Sequence, residues 1–512
     1  MSEMTVSPPP ANTGSSPGDV SGDHAPPPTR RKGGQLYFVS AVFGQVVALL
    51  RYVTLARLLG PEQLGLAAAL MVTAAFFELI ADTGSDRFLI QDRDGDKPEL
   101  QALVQLVYVG RGFAIAAGLI LFSGPIAAFY GQPRLAHGLV WLGLPPLIVG
   151  FMHLDLRRVQ RDLDYRPEAT GVIVGEAVSL IATAIAAWFT REFTAILYGL
   201  TARSIAIVIV SHFTAERPYR LAWSRFHAPR LSRFSGPLML SGLLLFIGTQ
   251  GDRVLVANQL GAAALGEYSA VSLLIYYPSA VLVKYLHMMY MPMVANARDN
   301  PPLRDKVGDK LGGETLLLAI SMAAGFALVT PFVVTILYGQ RFAQPALLIG
   351  LVGILFTVRF VIVWPSTVAL SMGSSVTVFL SNFSRLLVFP CAFIALRFVG
   401  GLNGVVSGFI VGEAISICVA LALLNRDTDR RPFTGFVRYG TFLATSVLIV
   451  AWNLTIGHAQ AAVYVGLAIA SLALAAYLAK TEFDTVLEAV ALVRRTSASI
   501  RGRIGGAGQA DA

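Results

Sequence analysis

Long apolar segments recur along this 512-residue chain, and they restrict its fold more than any other feature. A helix needs about 20 apolar residues to cross the hydrocarbon layer of a membrane, which is about 30 Å thick. Only 14% of the residues are charged, whereas an ordinary soluble domain has about a quarter. We therefore predict an all-α polytopic membrane protein.

The apolar segments number about 14 and fall into three groups. The first group is expected near residues 36–58, 62–81, 101–124, 135–154, 169–189 and 193–213. The second group is expected near residues 236–258, 263–283, 314–337, 345–370, 375–397 and 402–424. A final pair is expected near residues 439–457 and 460–480.

These groups predict two six-helix lobes around a central cavity, followed by an extra helix pair. The predicted domains are an N-terminal lobe at 34–234, a C-terminal lobe at 235–424 and the pair within 425–480. Residues 1–33 have few large apolar side chains to bury, so they are expected to form a disordered tail. Residues 481–512 are predicted to form a second tail.

Basic residues are distributed unequally between the two sides of the membrane. With a cytoplasmic N terminus, most of the 40 Lys and Arg lie in cytoplasmic segments, as the positive-inside rule requires. The cluster "ERPYRLAWSRFHAPRLSRF" at 216–234 is an orientation signal on this interpretation. The net charge of +9 therefore needs no nucleic-acid partner, and both termini are predicted to be cytoplasmic.

The chain repeats a short sequence that contains two glycines. "RLLGPEQLG" at 57–65 is echoed by "NQLGAAALG" at 258–266, and a YGQ triplet recurs further on in the same order. Two echoes indicate an internal duplication, although two unrelated turns would also explain the first match. Six spans separate each pair, so the repeats run in parallel and form two pseudo-symmetric lobes. Gly60 and Gly261 are expected to mark equivalent external corners.

Ten charged side chains fall inside the predicted spans. An ionised group there costs about 2.5–3.5 kcal/mol unless it faces protein or water. The cations are Arg51, Arg111, Arg203, Arg253, Arg359 and Arg385, and the acids are Glu78, Glu176, Asp252 and Glu413. The arginine surplus suits an anionic cargo, because a guanidinium group matches phosphate oxygens with two parallel hydrogen bonds.

We rank these candidates by whether the predicted duplication places them at equivalent positions in the two lobes. Arg51 aligns with Asp252 and lies one position from the counterpart of Arg253, so these three and Arg359 are predicted to line the substrate pathway. The secondary candidates are Glu78, Arg111, Arg203, Arg385 and Glu413. Arg51 could instead reach the membrane surface. Asp252 could pair with an arginine across the cleft, form an ion pair within its lobe, or hold a coupling proton or sodium ion.

Three stretches of the chain resemble a known family. They are "LARLLGPEQLGLAAALMVTAAFFELIADTGSDRFLIQ" at 55–91, "RVQRDLDYR" at 158–166 and "GDRVLVANQLGAAALGEYSA" at 251–270. They are similar to the polysaccharide transporter family of lipid-linked oligosaccharide flippases, which belongs to the multidrug/oligosaccharidyl-lipid/polysaccharide superfamily. The likeness covers residues 36–480 in outline and is diffuse, without a single diagnostic motif.

The resemblance implies a multi-pass protein of the bacterial inner membrane, surrounded by membrane lipids. Its implied task is to move an undecaprenyl-pyrophosphate-linked oligosaccharide to the periplasmic leaflet by alternating access of two lobes, for exopolysaccharide, capsule or O-antigen assembly. The first, second, seventh and eighth spans would line the cleft. A polysaccharide polymerase and export proteins are the expected partners. Many members lack the extra helix pair, whose role stays open.

Signatures of catalysis and of metal binding are lacking in the sequence. The seven histidines are scattered, and there is no HExxH motif, no paired Cys ligands and no Walker lysine after a glycine loop. His153 and Asp155 are close in sequence, but on a helix they would face different ways. We therefore predict a transporter without a catalytic site, metal or cofactor, for which a proton or sodium ion is the candidate driving ion.

Two other functions stay open. A cation-coupled exporter of small amphiphiles from the same superfamily would share the two lobes, but the arginine surplus counts against it. A membrane-embedded oligosaccharide polymerase would need a sizeable external loop, and the predicted external connections are short.

Two further features have simple interpretations. Glu78 lies near the cytoplasmic end of the second span, and the mixed segment after it is predicted either to lie along the inner leaflet or to form a surface loop. Gly404, Gly408 and Gly412 recur at every fourth position of the twelfth span, which predicts close packing against another helix.

Overall fold

The computed structural model describes residues 28–162, 164–428 and 440, which are helical apart from turns and short loops. Nine of the described helices are long and apolar enough to cross a membrane, or ten if one bent pair forms a single span. The prediction of an all-α polytopic membrane protein is confirmed. The predicted pair near 439–457 and 460–480, the C-terminal tail and most of the N-terminal tail lie outside the described residues.

Each of the twelve predicted spans before residue 425 coincides with a described helix, a consecutive pair of helices or one arm of a broken helix. The first half contains α1 Pro28–Leu59, α2 Pro61–Ile80, α3 Ser85–Gln91, α4 Pro98–Phe129, α5 Arg134–Trp141, α6 Leu144–Gly150, α7 Asp155–Arg161, α8 Arg166–Thr190 and α9 Ala195–Phe213. The second half contains α10 Ala228–Asn296, α11 Pro301–Tyr338, α12 Ala346–Val361, α13 Val363–Ser371, α14 Ser375–Ser384, α15 Val388–Phe398 and α16 Gly401–Thr428.

The two predicted corners have nearly the same backbone conformation. Gly60, between α1 and α2, has φ 81° and ψ 178°, and Gly261 has φ 85° and ψ −178°. Only glycine adopts this region without strain. Gly261 therefore breaks α10 into a first arm, 228–260, and a second arm, 262–296, which correspond to α1 and α2.

The other two repeated glycines bring the halves into direct contact. A Cβ atom added to Gly65 would lie 1.7 Å from the Ala262 carbonyl oxygen, and one added to Gly266 would lie 1.9 Å from the Pro61 carbonyl oxygen. The backbones of α2 and the second arm of α10 therefore touch at this point. We call it the glycine crossing and the end of the molecule that carries it the glycine end. The opposite end carries the short helices α3 and α7 and the loop at 214–227, and we call it the charged end.

The predicted domain boundary at 234 falls inside α10, which begins at Ala228. The helix extends beyond its apolar run because Pro229 suits a first helical turn and the polar residues after it are compatible with a helix at the charged end. The connection between the halves is the loop at 214–227.

The fourth predicted span is broken. It consists of α5 and α6 and leaves the helical conformation after Gly150, so His153 lies in a non-helical turn. The argument that His153 and Asp155 occupy different helix faces is therefore wrong. Instead, the backbone N–H of Asp155 donates a hydrogen bond of 3.1 Å to His153 Nδ1.

The glycine stripe on α16 is a packing surface, as predicted. A Cβ atom added to Gly408 would lie 2.3 Å from Ala392 Cα, and one added to Gly412 would lie 2.5 Å from Val388 Cα. Small residues permit this close approach between membrane helices. The stripe fixes α15 against α16, and α16 carries Glu413.

Candidate substrate pathway

Three buried charges in the first half form one cluster. Arg51 Nη1 on α1 donates to Glu176 Oε2 at 3.2 Å and to Ser179 Oγ at 2.6 Å. Arg203 Nε on α9 donates to the other carboxylate oxygen, Glu176 Oε1, at 2.7 Å. Arg51 is directed into its own half and is 5% exposed, so the interpretation that it reaches the membrane surface is wrong. We call Arg51, Glu176 and Arg203 the N cluster.

A second cluster occupies the other half. Arg359 donates from Nη1 to Asp252 Oδ2 at 3.1 Å and from Nε to Glu413 Oε1 at 3.0 Å. Arg385 Nε donates to Glu413 Oε2 at 3.2 Å, and the Tyr268 hydroxyl donates to Asp252 Oδ2. Asp252 therefore forms an ion pair within its own lobe, which was one of its three alternatives. We call Asp252, Arg359, Arg385 and Glu413 the C cluster.

The two clusters occupy equivalent positions with opposite charge. The equivalent pairs are Arg51 with Asp252, Glu176 with Arg385, and Arg203 with Glu413, which are 201, 209 and 210 positions apart. The formal charges at the three positions sum to +1 in the first half and to −1 in the second. Arg359 neutralises the C cluster, whereas the N cluster keeps its positive charge. Under the predicted duplication, the sites of charge are kept and the sign of their sum is inverted.

Arg253 differs from the other predicted pathway arginines because no carboxylate lies within ion-pair distance of it among the described residues. It is 9% exposed. Its Nη1 donates to Gln250 Oε1 at 3.0 Å, and its guanidinium carbon lies 5.8 Å from the centre of the Tyr276 ring. Arg253 is therefore a buried cation whose hydrogen-bond and ring partners are neutral, and the adjacent Asp252 acts on it electrostatically without an ion-pair contact.

Two tyrosines connect Arg253 to the first half. Tyr52 on α1 and Tyr277 on the second arm of α10 are both buried, and each interacts electrostatically with Arg51 and with Arg253. The helices that carry them contact each other. Arg51, although directed into its own half, and Arg253 thus both act on two tyrosines where α1 and α10 contact each other.

A cavity of about 320 Å³ lies inside the first half rather than between the halves. Glu78, Arg111 and Arg203 line it, together with apolar residues of α2, α4, α6 and α9. Arg111 Nη2 donates to the Glu78 carbonyl oxygen at 3.0 Å, and its guanidinium carbon lies 5.7 Å from the centre of the Tyr108 ring. The secondary candidates Glu78, Arg111 and Arg203 therefore face a common space.

The acidic segment after Glu78 forms ion pairs with α10. Arg230 donates to Asp92 Oδ2 at 2.5 Å and to Asp94 Oδ2 at 2.7 Å. Hydrogen bonds from Lys97 and Arg230 lower the pKa of Asp94 to about 2. These contacts favour the surface-loop interpretation of this segment over direct contact with lipid.

Sequence reasoning found the charged residues but missed their neutral partners. Those partners are Ser179, Gln250, Tyr52, Tyr268, Tyr276 and Tyr277. Helical spacing could have identified Ser179 and Gln250, because each lies three positions from a predicted charge. Contact between the predicted residues and cargo stays a prediction. Within the described residues, no three His, Cys, Asp or Glu side chains come together as metal ligands.

Comparison with protein families adds an independent observation. A family model described as "Polysaccharide biosynthesis protein" matches residues 54–347, which is more than half of the chain. The chain belongs to this polysaccharide biosynthesis protein family. The match includes the glycine crossing, Glu176, Arg203 and Arg253, so the recognised region contains the N cluster except Arg51.

This polysaccharide biosynthesis protein is similar to named bacterial proteins. It is 24% identical over 335 residues to the succinoglycan biosynthesis transport protein ExoT of Rhizobium meliloti (strain 1021), over 64% of this chain and 65% of ExoT. The matched part is therefore just under two thirds of the length of ExoT. It is 21% identical over 422 residues to the lipopolysaccharide biosynthesis protein WzxC of Escherichia coli (strain K12), over 80% and 84% of the two chains.

Solved structures share the fold of this family member. Lipid II flippase MurJ in an inward closed conformation superposes with a TM-score of 0.66 at 14% identity, over 88% of this chain and 100% of MurJ. An inward-facing multidrug resistance MATE transporter of the MOP superfamily superposes with a TM-score of 0.60 at 15% identity, over 79% of this chain and 96% of that transporter. The predicted fold class is confirmed. Family membership places this chain in polysaccharide biosynthesis, and ExoT is named a transport protein of such a pathway.

Proposed function

We propose that this protein is a flippase that moves an undecaprenyl-pyrophosphate-linked oligosaccharide across the bacterial inner membrane. The family supports a role in polysaccharide biosynthesis, and ExoT is named for transport in such a pathway. The fold is that of a named lipid II flippase. A lipid-linked sugar fits both observations, because its lipid lies in the membrane and its sugar is used in polysaccharide assembly.

The main support for this proposal is the environment of Arg253. A buried guanidinium group without a carboxylate partner can donate hydrogen bonds to an anionic group, and it matches the oxygens of a pyrophosphate. The paired arginines offer less, because Glu176, Asp252 and Glu413 already accept their hydrogen bonds. The tyrosines around Arg253 would add hydroxyl donors and aromatic surface for the cargo.

The orientation follows from the distribution of basic loops. The charged end would face the cytoplasm and the glycine end the periplasm, with both termini in the cytoplasm. The touching backbones at the glycine crossing then correspond to a state that is closed toward the periplasm. Transport by alternating access requires the crossing to separate in the opposite state.

Replacing Arg253 tests the proposed function. We expect Arg253→Ala to lower polysaccharide export about tenfold or more at normal protein level, because it removes charge-assisted hydrogen bonds to the cargo. Arg253→Lys should restore part of it, since Lys keeps the charge but not the planar group. Arg51→Ala should cause a smaller loss, because Glu176 keeps Arg203 as a partner. Export per cell and immunoblotting of membranes are the measurements.

Arg397→Ala is the matched control, because Arg397 is an exposed arginine at the end of α15. It should export normally. Normal export by Arg253→Ala at normal protein level would remove Arg253 from the pathway and the main support for a pyrophosphate cargo.

A further inference from the structure

The loop that joins the halves combines exposed apolar and basic side chains. Leu221, Trp223 and Phe226 are 45%, 65% and 69% exposed, and Arg220 and Arg225 on the same loop are also exposed. The loop follows the end of α9 and precedes α10, so it lies where two spans leave the membrane. Tryptophan and arginine concentrate at such interfaces, because the ring enters the apolar layer and the charge stays among headgroups.

A completely buried aspartate fixes the start of this loop. Asp155 Oδ2 accepts hydrogen bonds from the backbone N–H groups of Glu216 at 2.9 Å and Arg217 at 3.4 Å, and Asp155 Oδ1 accepts one from Arg158 at 2.7 Å. Burial alone would raise the pKa of Asp155, but these hydrogen bonds outweigh it and lower the pKa to about 2. Asp155 therefore stays ionised at neutral pH and holds the backbone at Glu216 and Arg217 in place.

The anchored loop closes a pocket of about 220 Å³ at the charged end. Gln101, Gln105, His153, Arg217 and Arg220 line it, and none of the lining residues is acidic. Arg217 Nη1 is fixed by the Asp96 carbonyl oxygen at 2.8 Å and by Gln101 Oε1 at 3.2 Å. Arg220 is exposed and has no ion-pair partner among the described residues. The pocket thus presents two guanidinium groups and no carboxylate among its lining side chains, and the buried Asp155 behind it is already paired with Arg158.

We propose that this pocket binds the phosphate group of an anionic phospholipid in the leaflet at the charged end. The chemistry is that of a basic pocket at a membrane surface, which attracts anionic headgroups. Trp223 and Phe226, which are exposed on the same loop, would contact the acyl chains of the lipid, which free phosphate lacks. All lining residues belong to the first half and its connecting loop, and none lies on α1 or α10, where the proposed cargo pathway runs. The site is therefore separate from that pathway.

Lipid titration of the purified full-length protein tests this site. The protein is placed in phosphatidylcholine nanodiscs with increasing phosphatidylglycerol, and its thermal midpoint and the retained phosphatidylglycerol are measured. We expect phosphatidylglycerol to raise the midpoint of the unmodified protein and of Arg225→Gln, an exposed arginine of the same loop that does not line the pocket. In Arg220→Gln, the apparent affinity should fall about fivefold, whereas Arg220→Lys should retain most of it.

Three outcomes would overturn the proposal. The first is unchanged phosphatidylglycerol binding in Arg220→Gln, and the second is an equal loss in Arg225→Gln, which would indicate general attraction to the loop. The third is that inorganic phosphate or undecaprenyl pyrophosphate occupies the pocket in preference to phosphatidylglycerol. Equal midpoints of all variants in pure phosphatidylcholine establish equal folding. Unchanged or unspecific phosphatidylglycerol binding leaves the role of Arg253 untouched, and the export assay of Arg253→Ala tests the proposed function separately.

Discussion

Glu176 directs one carboxylate oxygen to Arg51 and the other to Arg203. Glu176→Gln would leave both guanidinium groups facing a neutral amide. Removing one partner of a buried ion pair costs about 3–5 kcal/mol, and we expect a loss of about 3 kcal/mol because the Arg203 side chain is 34% exposed. The measurement is the free energy of unfolding in detergent with increasing denaturant.

The control for this prediction is Glu192→Gln, which removes an exposed carboxylate after α8. Its free energy of unfolding should stay within about 0.5 kcal/mol of the unmodified protein. If both variants unfolded at the same denaturant concentration, Glu176 would contribute no stability and the N cluster would not be a structural unit.

The charged residues of the site could be predicted, but their pairing could not. Charges are rare in apolar spans, so hydropathy alone identifies Arg51, Asp252 and Arg359. Pairing depends on how each helix is rotated and which helix it contacts, and neither is encoded locally. Arg359 joins Asp252 and Glu413, which lie 107 and 54 positions away, and no sequence pattern indicates that contact.

At the scale of helices, hydropathy predicts where the spans lie. It does not predict where a helix ends or breaks, which depends on backbone conformation and on polar residues that continue the helix. The break at Gly261 was predictable because its sequence echoes that of Gly60. The end of α6 at Gly150 was not, because the apolar composition continues beyond it and hides the departure from the helix. The charged start of α10 was missed for the converse reason, since a helix continues where the apolar run stops.

The glycine crossing gives a prediction at this scale. Gly65→Ala places a methyl group where the Ala262 carbonyl oxygen now lies, so α2 and the second arm of α10 must separate. We expect a longer distance between spin labels attached through Glu62→Cys and Ala263→Cys, with Cys391 and Cys418 replaced by serine. Transport should fall, because the state closed at the glycine end becomes less accessible.

Gly110→Ala is the control for Gly65→Ala, because an added Cβ atom meets nothing within 4 Å at that helical glycine. Its label distance and its transport should match those of the unmodified protein. An unchanged label distance in Gly65→Ala would contradict a role of the crossing in closing this end.

For the whole molecule, we propose that an ion moving down its gradient resets the two halves, since the sequence has no nucleotide-binding motif. Translocation of lipid-linked oligosaccharide into inverted vesicles should stop either with a protonophore or after sodium is replaced by choline. Unchanged translocation under both treatments together would refute ion coupling.

Glu78 is the carboxylate that faces the cavity in the first half, so it is the candidate carrier of the coupling ion. In the same vesicles, Glu78→Gln should make translocation insensitive to the gradient, whereas Glu99→Gln, at an exposed position of α4, should leave the sensitivity unchanged. Equal sensitivity in both variants would remove Glu78 from this role.

The glycine crossing also has an electrical consequence. A membrane potential of 100 mV provides about 2.3 kcal/mol for each elementary charge that crosses the membrane. Any continuous water-filled gap would therefore let ions leak through. Two backbones in contact at Gly65 and Gly266 leave no room for a file of water between them. The proposed flippase would thereby accept a large cargo without leaking ions, because two glycines without side chains let its halves close on each other.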